Sequence, residues 1–446
     1  YDVWVRGYGL VDSEKVQVEP GEAVNLTAVV APDAKAAAEY YPAQYWFAML
    51  QLPEPDEFPG TGLQGNGISP DIQTQADWIR SIVSTDGCIG CHALGNRATR
   101  EIPGGLGDFD SHADAWERRV QSGQAGVNMD VKFTRVGRKP AFEMYGDWTD
   151  RIEAGEYPTT PPPRPQGVER NVVVSLWDWA DPRAYMHDLI SADKRNPRVN
   201  ANGPVYGAPE DGADYMPVLD PDTHTASMVP FQVRDPLTPS TASRPPMMPS
   251  PYWDDEVIWD SQSVAHSFAM DAQERVWIAA RVRPAETPAF CQEGSTHPSA
   301  QAFPIARSNR QIQMWDPRAK TMITVDTCFG THHLNFSDDD KLWFTGSGPV
   351  VGWFDTKVLD ETGDEALAQG WTAQVLDTNG NGRRDAYVEP GEPLDSAKDT
   401  RIERGFYGVA PSPLDGSIWG STLGMPGGLV RLVPGEDPVN TALVEF

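Results

Sequence analysis

The sequence lacks long apolar runs and is poor in basic residues. No stretch of about 18 apolar residues occurs, so the 446-residue chain predicts no transmembrane segment. Lys and Arg number 36 against 64 Asp and Glu, which gives a formal net charge of −28. Such a chain cannot neutralise a run of phosphates, so nucleic acid is excluded as a partner. The acid excess indicates either a heavily solvated surface or the steering of a basic partner.

A signal peptide is also missing. The first residues, YDVWVRGYGL, already alternate like a strand, and the last, NTALVEF, stop inside a strand-like run. We therefore expect further sequence beyond both ends. Missing chain segments or further subunits are expected as partners.

The composition favours a multidomain, mainly β protein. The length predicts about three domains. Gly and Pro occur 40 times each, which indicates many turns, and the 15 Trp residues favour strands.

Two domains are predicted in the first third of the chain. Residues 1–50 hold two alternating runs around a PGE turn, followed by an Ala-rich segment that predicts a helix up to the proline. We interpret them as a β-sandwich remnant plus a helix. Residues 71–155 have apolar residues at helical spacing, with Ser111 as an N-cap. Residues 156–167 form a Pro-rich, extended linker.

Residues 168–446 are predicted to form a β-propeller. Three segments, beginning at 266, 332 and 407, each have a short apolar run, an acidic turn and an apolar strand with Trp. Such self-similar units are typical of propeller blades, although a sandwich is the competing interpretation. NVVVSLWDW, from 171, is interpreted as the start of an earlier blade. Three or four blades make the propeller incomplete in this chain, so the final run TALVEF is expected to pair with polypeptide outside it.

The motif CIGCH, residues 88–92, is the attachment signature of a c-type haem. Cys88 and Cys91 would carry the two thioethers, and His92 would ligate the iron. A thioredoxin-like pair or half of a zinc site are the alternatives, but neither a βαβ setting nor a second ligand pair appears. Covalent haem implies assembly outside the cytoplasm, so we expect a periplasmic or extracellular protein.

The second axial ligand must come from further along the chain. Residues 116–129 resemble the W-x-x-R-V-x-x-G helix that leads into the ligand methionine of class I cytochromes c. We therefore predict Met129, with Met144 and His112 as alternatives, and core packing as the other role for a methionine. One-electron transfer to or from a redox partner protein is the leading functional hypothesis.

Five stretches carry a resemblance to a family: YDVWVRGYGL, CIGCH, DWTDRIEAGEYP, THHLNF and DTNGNGRRDAYVEPGEP. The chain resembles exported bacterial proteins that join a carboxypeptidase-regulatory-like β-domain, a mono-haem cytochrome c domain and a propeller similar to virginiamycin B lyase. The resemblance implies this domain order. The lyase likeness implies shape more than chemistry.

A calcium loop is predicted from residue 377. Oxygen-bearing side chains and a glycine follow the spacing of an EF-hand loop, but position 12 is Val388 and the glutamate comes one residue later. An acidic β-turn is the alternative. The predicted calcium ligands are Asp377, Asn379, Asn381, Arg383, Asp385 and Glu389.

Two further cysteines, Cys291 and Cys328, are predicted to form a disulfide, as exported proteins usually pair such residues. Buried thiols or a catalytic thiol are the alternatives.

Histidines suggest a second site. His266 and His332 hold the same blade position, so inner strands would bring them together. His333 adjoins His332, and His187 is a further candidate for such a cluster. Convergent histidines bind a metal or act as general acid or base, whereas the simpler interpretation is that they fill the channel. Arg283 and Arg310 are candidates for binding an anionic substrate, although surface arginines are commoner. The alternative functions are a channel lyase or oxidoreductase, and an extracellular assembly module that conducts through haem.

Overall fold

The structure, a computed structural model, divides into two compact units. It describes residues 1–84, 87–177, 179, 181, 185–346, 348–402, 405–423 and 427–445. The first unit comprises residues 1–175 and 244–257, and the second comprises 176–243 and 258–446. Within these described ranges, no helix has both the length and the apolar character needed to cross a bilayer.

The N-terminal part of the first unit contains two small antiparallel ladders. Strand β1 pairs with β3, and β2 pairs with β4. The helix predicted up to the proline ends at Ala38, and a second helix begins after Pro42, whose ring favours the residue before a helix start over a helix interior. The elements are β1 (Asp2–Val3), β2 (Leu10–Val11), β3 (Val16–Gln17), β4 (Val29–Val30), α1 (Ala34–Ala38) and α2 (Ala43–Phe47).

Helices dominate the rest of the first unit. The predicted cap is confirmed, because the Ser111 hydroxyl accepts the Asp114 N–H at 3.1 Å. Met129 lies in the first turn of a separate helix instead of ending the Trp116 helix. The helices are α3 (Gln75–Val83), α4 (Arg97–Arg100), α5 (His112–Val120), α6 (Gly126–Val136) and α7 (Arg138–Glu153).

Aromatic side chains form the core of this unit. Trp78 and Trp148 are completely buried, and Tyr145 stacks on Trp116 with 4.7 Å between ring centroids. The Trp148 indole donates to the carbonyl of Trp46 at 3.0 Å and so links α7 to α2. Each fully buried large apolar side chain contributes roughly 1.5–3 kcal/mol, so this cluster holds the helices together.

A segment from far along the chain completes the first unit. The amide of Gly123 donates to Met248 O at 2.9 Å, and the Met247 amide returns a bond to Gly123 O at 3.1 Å. The Arg118 guanidinium donates to Pro249 O at 2.6 Å. Residues 244–257 therefore fix the turn between α5 and α6.

The second unit begins with two four-stranded antiparallel sheets, each ordered as a meander. The first contains β5 (Asp188–Ile190), β6 (Val205–Ala208), β7 (Tyr215–Asp220) and β8 (Thr225–Pro230). The second contains β9 (Phe268–Met270), β10 (Val276–Ala280), β11 (Gln311–Asp316) and β12 (Thr321–Val325), with α8 (Pro298–Ala302) before β11.

Two more sheets follow. A third meander consists of β13 (Leu334–Phe336), β14 (Lys341–Phe344), β15 (Val350–Asp355) and β16 (Gln369–Ala373), with α9 (Thr356–Thr362) before β16. The last sheet has seven strands in the order β18-β19-β17-β23-β22-β21-β20. These are β17 (Val375–Leu376), β18 (Tyr387–Val388), β19 (Asp399–Arg401), β20 (Gly408–Pro411), β21 (Ile418–Ser421), β22 (Leu429–Val433) and, after α10 (Pro438–Thr441), β23 (Leu443–Glu445).

Strands β20 to β23 of the last sheet form a fourth meander. The first strands of the four meanders lie side by side. Strand β9 lies beside both β5 and β13, and β13 lies beside β20. Consecutive four-stranded meanders with adjacent first strands are the arrangement of propeller blades. We call this the propeller-like unit. The three predicted repeats begin at β9, β13 and β20, as expected.

Two expectations for this region were wrong. NVVVSLWDW starts no blade: residues 172–177 are not in a strand, Val173 is 92% exposed, and the first blade begins at Asp188. Asp178 lies outside the described residues. The final run TALVEF pairs within this chain, because β23 has β22 on one side and β17 on the other.

The predicted disulfide is confirmed. Cys291 and Cys328 are bonded, with Cα atoms 5.3 Å apart, and both are fully buried. The bond connects the segment after β10 to the approach to β13, within the apolar core that contains Trp277 and Trp371.

Candidate functional site

Aromatic rings converge where the four blades begin. His187 precedes β5, His266 precedes β9, His332 and His333 precede β13, and Tyr407 precedes β20. The ring centroids are 4.0 Å apart from His187 to His266, 4.0 Å from His266 to His332, and 5.0 Å from His332 to Tyr407. We call His187, His266, His332 and His333 the histidine cluster. The structure thus brings together the histidines that the sequence suggested.

Backbone bonds at the strand starts position these rings. The His266 amide donates to Ala279 O at 2.9 Å, and the Thr345 amide donates to His333 O at 3.0 Å. Both bonds extend the pairing of a first strand with its neighbour. The rings are therefore placed by the blade repeat.

Glu210, which follows β6, connects the cluster to two further side chains. Its Oε1 lies 2.8 Å from Nδ1 of His266 and accepts from Nη2 of Arg310 at 3.0 Å. The Tyr185 hydroxyl donates to Oε2 at 3.1 Å. Because a carboxylate only accepts, the Nδ1 of His266 carries the proton and Nε2 presents its lone pair.

Two nitrogens in the cluster have no hydrogen-bond partner among the described residues. They are Nε2 of His266 and Nδ1 of His332, and both atoms are buried. His266 as a whole is 4% exposed. A buried polar atom normally finds a partner, so each such atom calls for an explanation.

His266, His332 and His333 are neutral near pH 7 because their pKa values are lowered. Burial, followed by the neighbouring His266 and His333, lowers the pKa of His332 to about 2. Burial and His266 lower the pKa of His333 to about 4. Burial also lowers the pKa of His266, against the hydrogen bond to Glu210. Burial would raise the pKa of Glu210, but its contacts with His266, His187 and Arg310 lower it to about 2.

The backbone is strained on both sides of this site. Glu210 has φ 41° and Val264 has φ 42°. The left-handed region is unfavourable for a β-branched residue such as Val. Strain of this kind concentrates at functional sites.

The cluster offers two arrangements of metal-binding atoms. One nitrogen each from His266, His332 and His333 lie within 4.8 Å of one another. His187, Glu210 and His266 form a second such group. The two groups share His266.

The two arginines proposed for anion binding have other partners. Arg283 is buried, with Nε 2.5 Å from Asp326 Oδ1 and Nη2 donating to Thr327 O at 2.8 Å. Arg310 bonds to Glu210 and to the carbonyl of Val264. Arg283 therefore belongs to a structural network, and Arg310 supports Glu210.

In the first unit, Cys88 begins a short 3₁₀ turn, and the His92 amide donates to Cys88 O at 3.0 Å. Cys88 is half-buried, whereas Cys91 and His92 are exposed. The Tyr145 hydroxyl points to Cys88 Sγ at 3.8 Å. A cleft of about 280 Å³ adjoins Cys88, lined by Trp78, Ser81, Ile82, Cys88, Lys132, Phe133, Val136, Ala141 and Tyr145.

The candidates for the second axial ligand differ in their surroundings. Met129 is half-buried and packs against the apolar cluster that also contacts Cys88. Met144 is 5% exposed, and its sulfur accepts the Trp78 indole N–H at 3.3 Å. Nδ1 of His112 lies 2.7 Å from Oδ1 of Asp150. Met129 is therefore the candidate with the fewest competing contacts.

The loop from residue 377 is closed by its own hydrogen bonds. Asp377 accepts the amides of Gly380 and Gly382, each at 2.7 Å. Asp385 accepts from the side chains of Asn379 and Asn381, and Asn381 Oδ1 accepts the Arg383 amide at 2.9 Å. Glu389 instead pairs with Arg401 at 2.6 Å. The Glu389 side chain thus has a partner outside the loop.

The similar solved structures are distant from this chain in sequence. No family model and no curated protein matches the chain. Among solved structures, PorZ of the type-IX secretion system of Porphyromonas gingivalis has a TM-score of 0.29 and 10% identity, over 61% of this chain and 28% of that one. Virginiamycin B lyase from Staphylococcus aureus has a TM-score of 0.26 and 8% identity, over 58% of this chain and 73% of that one. Likenesses at this level carry no functional inference, and the chain spans less than a third of PorZ.

Sequence reasoning missed two members of the site. Tyr407 stands at the head of the third repeat, the position of His266 and His332, so the repeat itself held the signal. Glu210 is one acid in a loop of an acidic chain and has no local signature. It is found only through its contact with His266.

Proposed function

We propose that the protein works through the histidine cluster of its propeller-like unit, as a channel-type enzyme that carries out a lyase or oxidoreductase step. The observation that carries this proposal is the pair of buried, unpartnered ring nitrogens on His266 and His332. In neutral imidazoles such atoms are lone-pair donors or proton acceptors. They can serve as metal ligands or as general bases.

The competing interpretation is that the rings only fill the core. Leaving a buried polar group unpaired costs about 1–3 kcal/mol, and left-handed backbone at a residue such as Val264 costs about 1–3 kcal/mol more. Apolar residues would fill the same space without the first cost. A purely structural cluster would lower the free energy of unfolding through both of these costs, which favours a functional role.

A substitution that needs no substrate tests the proposal. His332→Phe keeps a ring but removes the unpartnered nitrogen, so the melting temperature in chelator-containing buffer should stay equal or rise. His297→Phe is the matched control, because His297 stacks on Trp371 at 4.8 Å and bonds to Ala366 O at 3.0 Å. That control should lower the melting temperature. An equal loss in both variants would make His332 structural and refute the proposal.

A second candidate function is one-electron transfer through a c-type haem in the first unit. Three observations favour this role. Two thiols and a histidine lie on one turn, this turn adjoins an apolar cleft, and Met129 packs against the apolar cluster that also contacts Cys88. The donor set fits the group: Cys88 and Cys91 would hold the porphyrin, and His92 and Met129 would ligate the iron. The residues that line the cleft are mostly apolar, which suits contact with a porphyrin.

When bound, the haem would supply a one-electron couple for a redox partner protein. The chain's own contribution would be the aromatic side chains Trp78, Phe133 and Tyr145, which line the cleft beside Cys88. Protein made with a haem-attachment system should keep its haem spectrum through acid-acetone extraction, because thioether bonds are covalent. Extractable haem would contradict this candidate function.

The cellular location follows from the same chemistry. A buried disulfide such as Cys291–Cys328 persists in oxidising compartments. Covalent haem would be attached there as well. We therefore propose a periplasmic or extracellular location.

A further inference from the structure

We infer that His266, His332 and His333 together bind one transition-metal ion, an inference that rests on the proposed function of the histidine cluster. One nitrogen from each ring lies within 4.8 Å of the other two. Metal–nitrogen bonds of about 2.0–2.1 Å place tetrahedral ligands about 3.3 Å apart, so small ring rotations complete the site. Nε2 of His266 is buried and has no partner among the described residues, so it is available as a ligand.

Glu210 acts on this site as a positioning residue. Its carboxylate accepts the Nδ1–H of His266 at 2.8 Å, which fixes the tautomer that directs Nε2 away from Glu210. Arg310 and Tyr185 hold the carboxylate in place at 3.0 and 3.1 Å. Carboxylate–histidine–metal chains of this kind orient the ligand and raise its basicity.

The donor set selects the class of ion. Three imidazoles, with no thiolate or carboxylate among the three ligands, suit Zn²⁺, Cu²⁺ or Ni²⁺ rather than Ca²⁺ or Mg²⁺. Three protein ligands also leave a coordination position for water or substrate, as in catalytic zinc sites. The Tyr407 ring lies 4.7 Å from the ring of His333, beside the group.

The second group, His187 with Glu210 and His266, is the rival position. In that group, Nδ1 of His266 and Oε1 of Glu210 already bond to each other, and Glu210 also accepts from Arg310. The first group instead contains His266 and His332, each of which has a buried ring nitrogen without a partner among the described residues. The ion is therefore assigned to the first group.

The test is zinc affinity of the full chain, measured by competition with a chromophoric chelator after the protein has been stripped of metal. The background is Cys88→Ala/Cys91→Ala, so that zinc cannot bind at the haem motif. We expect one tight site. His333→Gln should weaken it by about 100-fold or more, Glu210→Gln by about 10–100-fold, and Glu210→Asp should restore part of the loss. The loss in His333→Gln should exceed that in His187→Gln by at least about tenfold.

The melting temperature of each metal-free variant is measured as well. A variant that melts near the parent's temperature has lost a metal ligand and not its fold. Absence of tight zinc binding in the folded parent, or full affinity in His333→Gln, would overturn the metal site. A larger loss in His187→Gln would overturn the assignment to the first group. If zinc does not bind but His332→Phe is stabilising, the metal inference fails and the proposed function survives. If zinc does not bind and His332→Phe is destabilising, both fail.

Discussion

The imidazole rings of His266 and His332 lie 4.0 Å apart, centroid to centroid, although the two residues belong to different blades. Each ring stands just before the first strand of its meander, and those first strands are neighbours. Residues at the same position in neighbouring repeats are therefore brought into contact. A repeated fold can assemble a site in this way without any local motif.

The axial-ligand assignment predicts different results for two methionines. In haem-loaded protein, Met129→Ala should remove the weak long-wavelength absorption of methionine-ligated ferric haem. Met144→Ala should leave that band unchanged but lower the free energy of unfolding by about 2–5 kcal/mol, because Met144 is a buried core residue. Visible spectra and denaturant titrations measure both effects. Retention of the band in Met129→Ala would exclude Met129 as the ligand.

The disulfide predicts a loss of stability on its removal. Cys291 and Cys328 are separated by 37 positions in sequence, and closing a loop of this size stabilises the native state by about 4 kcal/mol in the chain-entropy account. The Cys291→Ala/Cys328→Ala double variant should therefore unfold at lower denaturant concentration. A midpoint equal to that of the parent would show that the bond contributes nothing.

The position of β23 predicts that the last strand is essential to its sheet. Val444 is 3% exposed and packs in the core of the seven-stranded sheet, so Val444→Asp should destabilise the unit by about 3 kcal/mol or more. Glu445→Gln is the control, because that exposed side chain forms a surface pair with Arg431, worth about 1 kcal/mol or less. Similar melting temperatures for the two variants would argue against the pairing of β23 with β17 and β22.

The loop from residue 377 predicts that calcium stabilises the protein, and its contacts indicate which residues matter. If the loop binds calcium, adding the ion should raise the melting temperature, since a ligand bound only to the native state stabilises it. Asp377→Ala should abolish this response. Glu389→Gln should retain it, because Arg401 already holds that carboxylate. An absence of any calcium response would make the loop an acidic turn closed by Asp377.

Much of the fold was predictable because it depends on local patterns. Ser111 caps α5 through a bond to a residue three positions later, and the blade repeats alternate at the strand period. NVVVSLWDW has the same apolar pattern, but Val173 remains exposed without a partner strand among the described residues. A local pattern indicates strand propensity, whereas pairing depends on distant residues.

The site was predictable only in part for the same reason. The repeat placed His266 and His332 together, and Tyr407 follows from the same register. Glu210 reaches His266 from another blade, and the role of Arg310 depends on Glu210. TALVEF was misjudged because its parallel partner β17 lies far back in the chain and outside the four-strand repeat.

The most direct test of the account is an anomalous difference map at the zinc edge, from crystals of the Cys88→Ala/Cys91→Ala protein equilibrated with zinc. The account predicts one strong peak within about 2.0–2.1 Å of a nitrogen from each of His266, His332 and His333. Loss of that peak in His333→Gln crystals would complete the assignment. A map of the folded parent protein with no peak among these three rings would contradict the account.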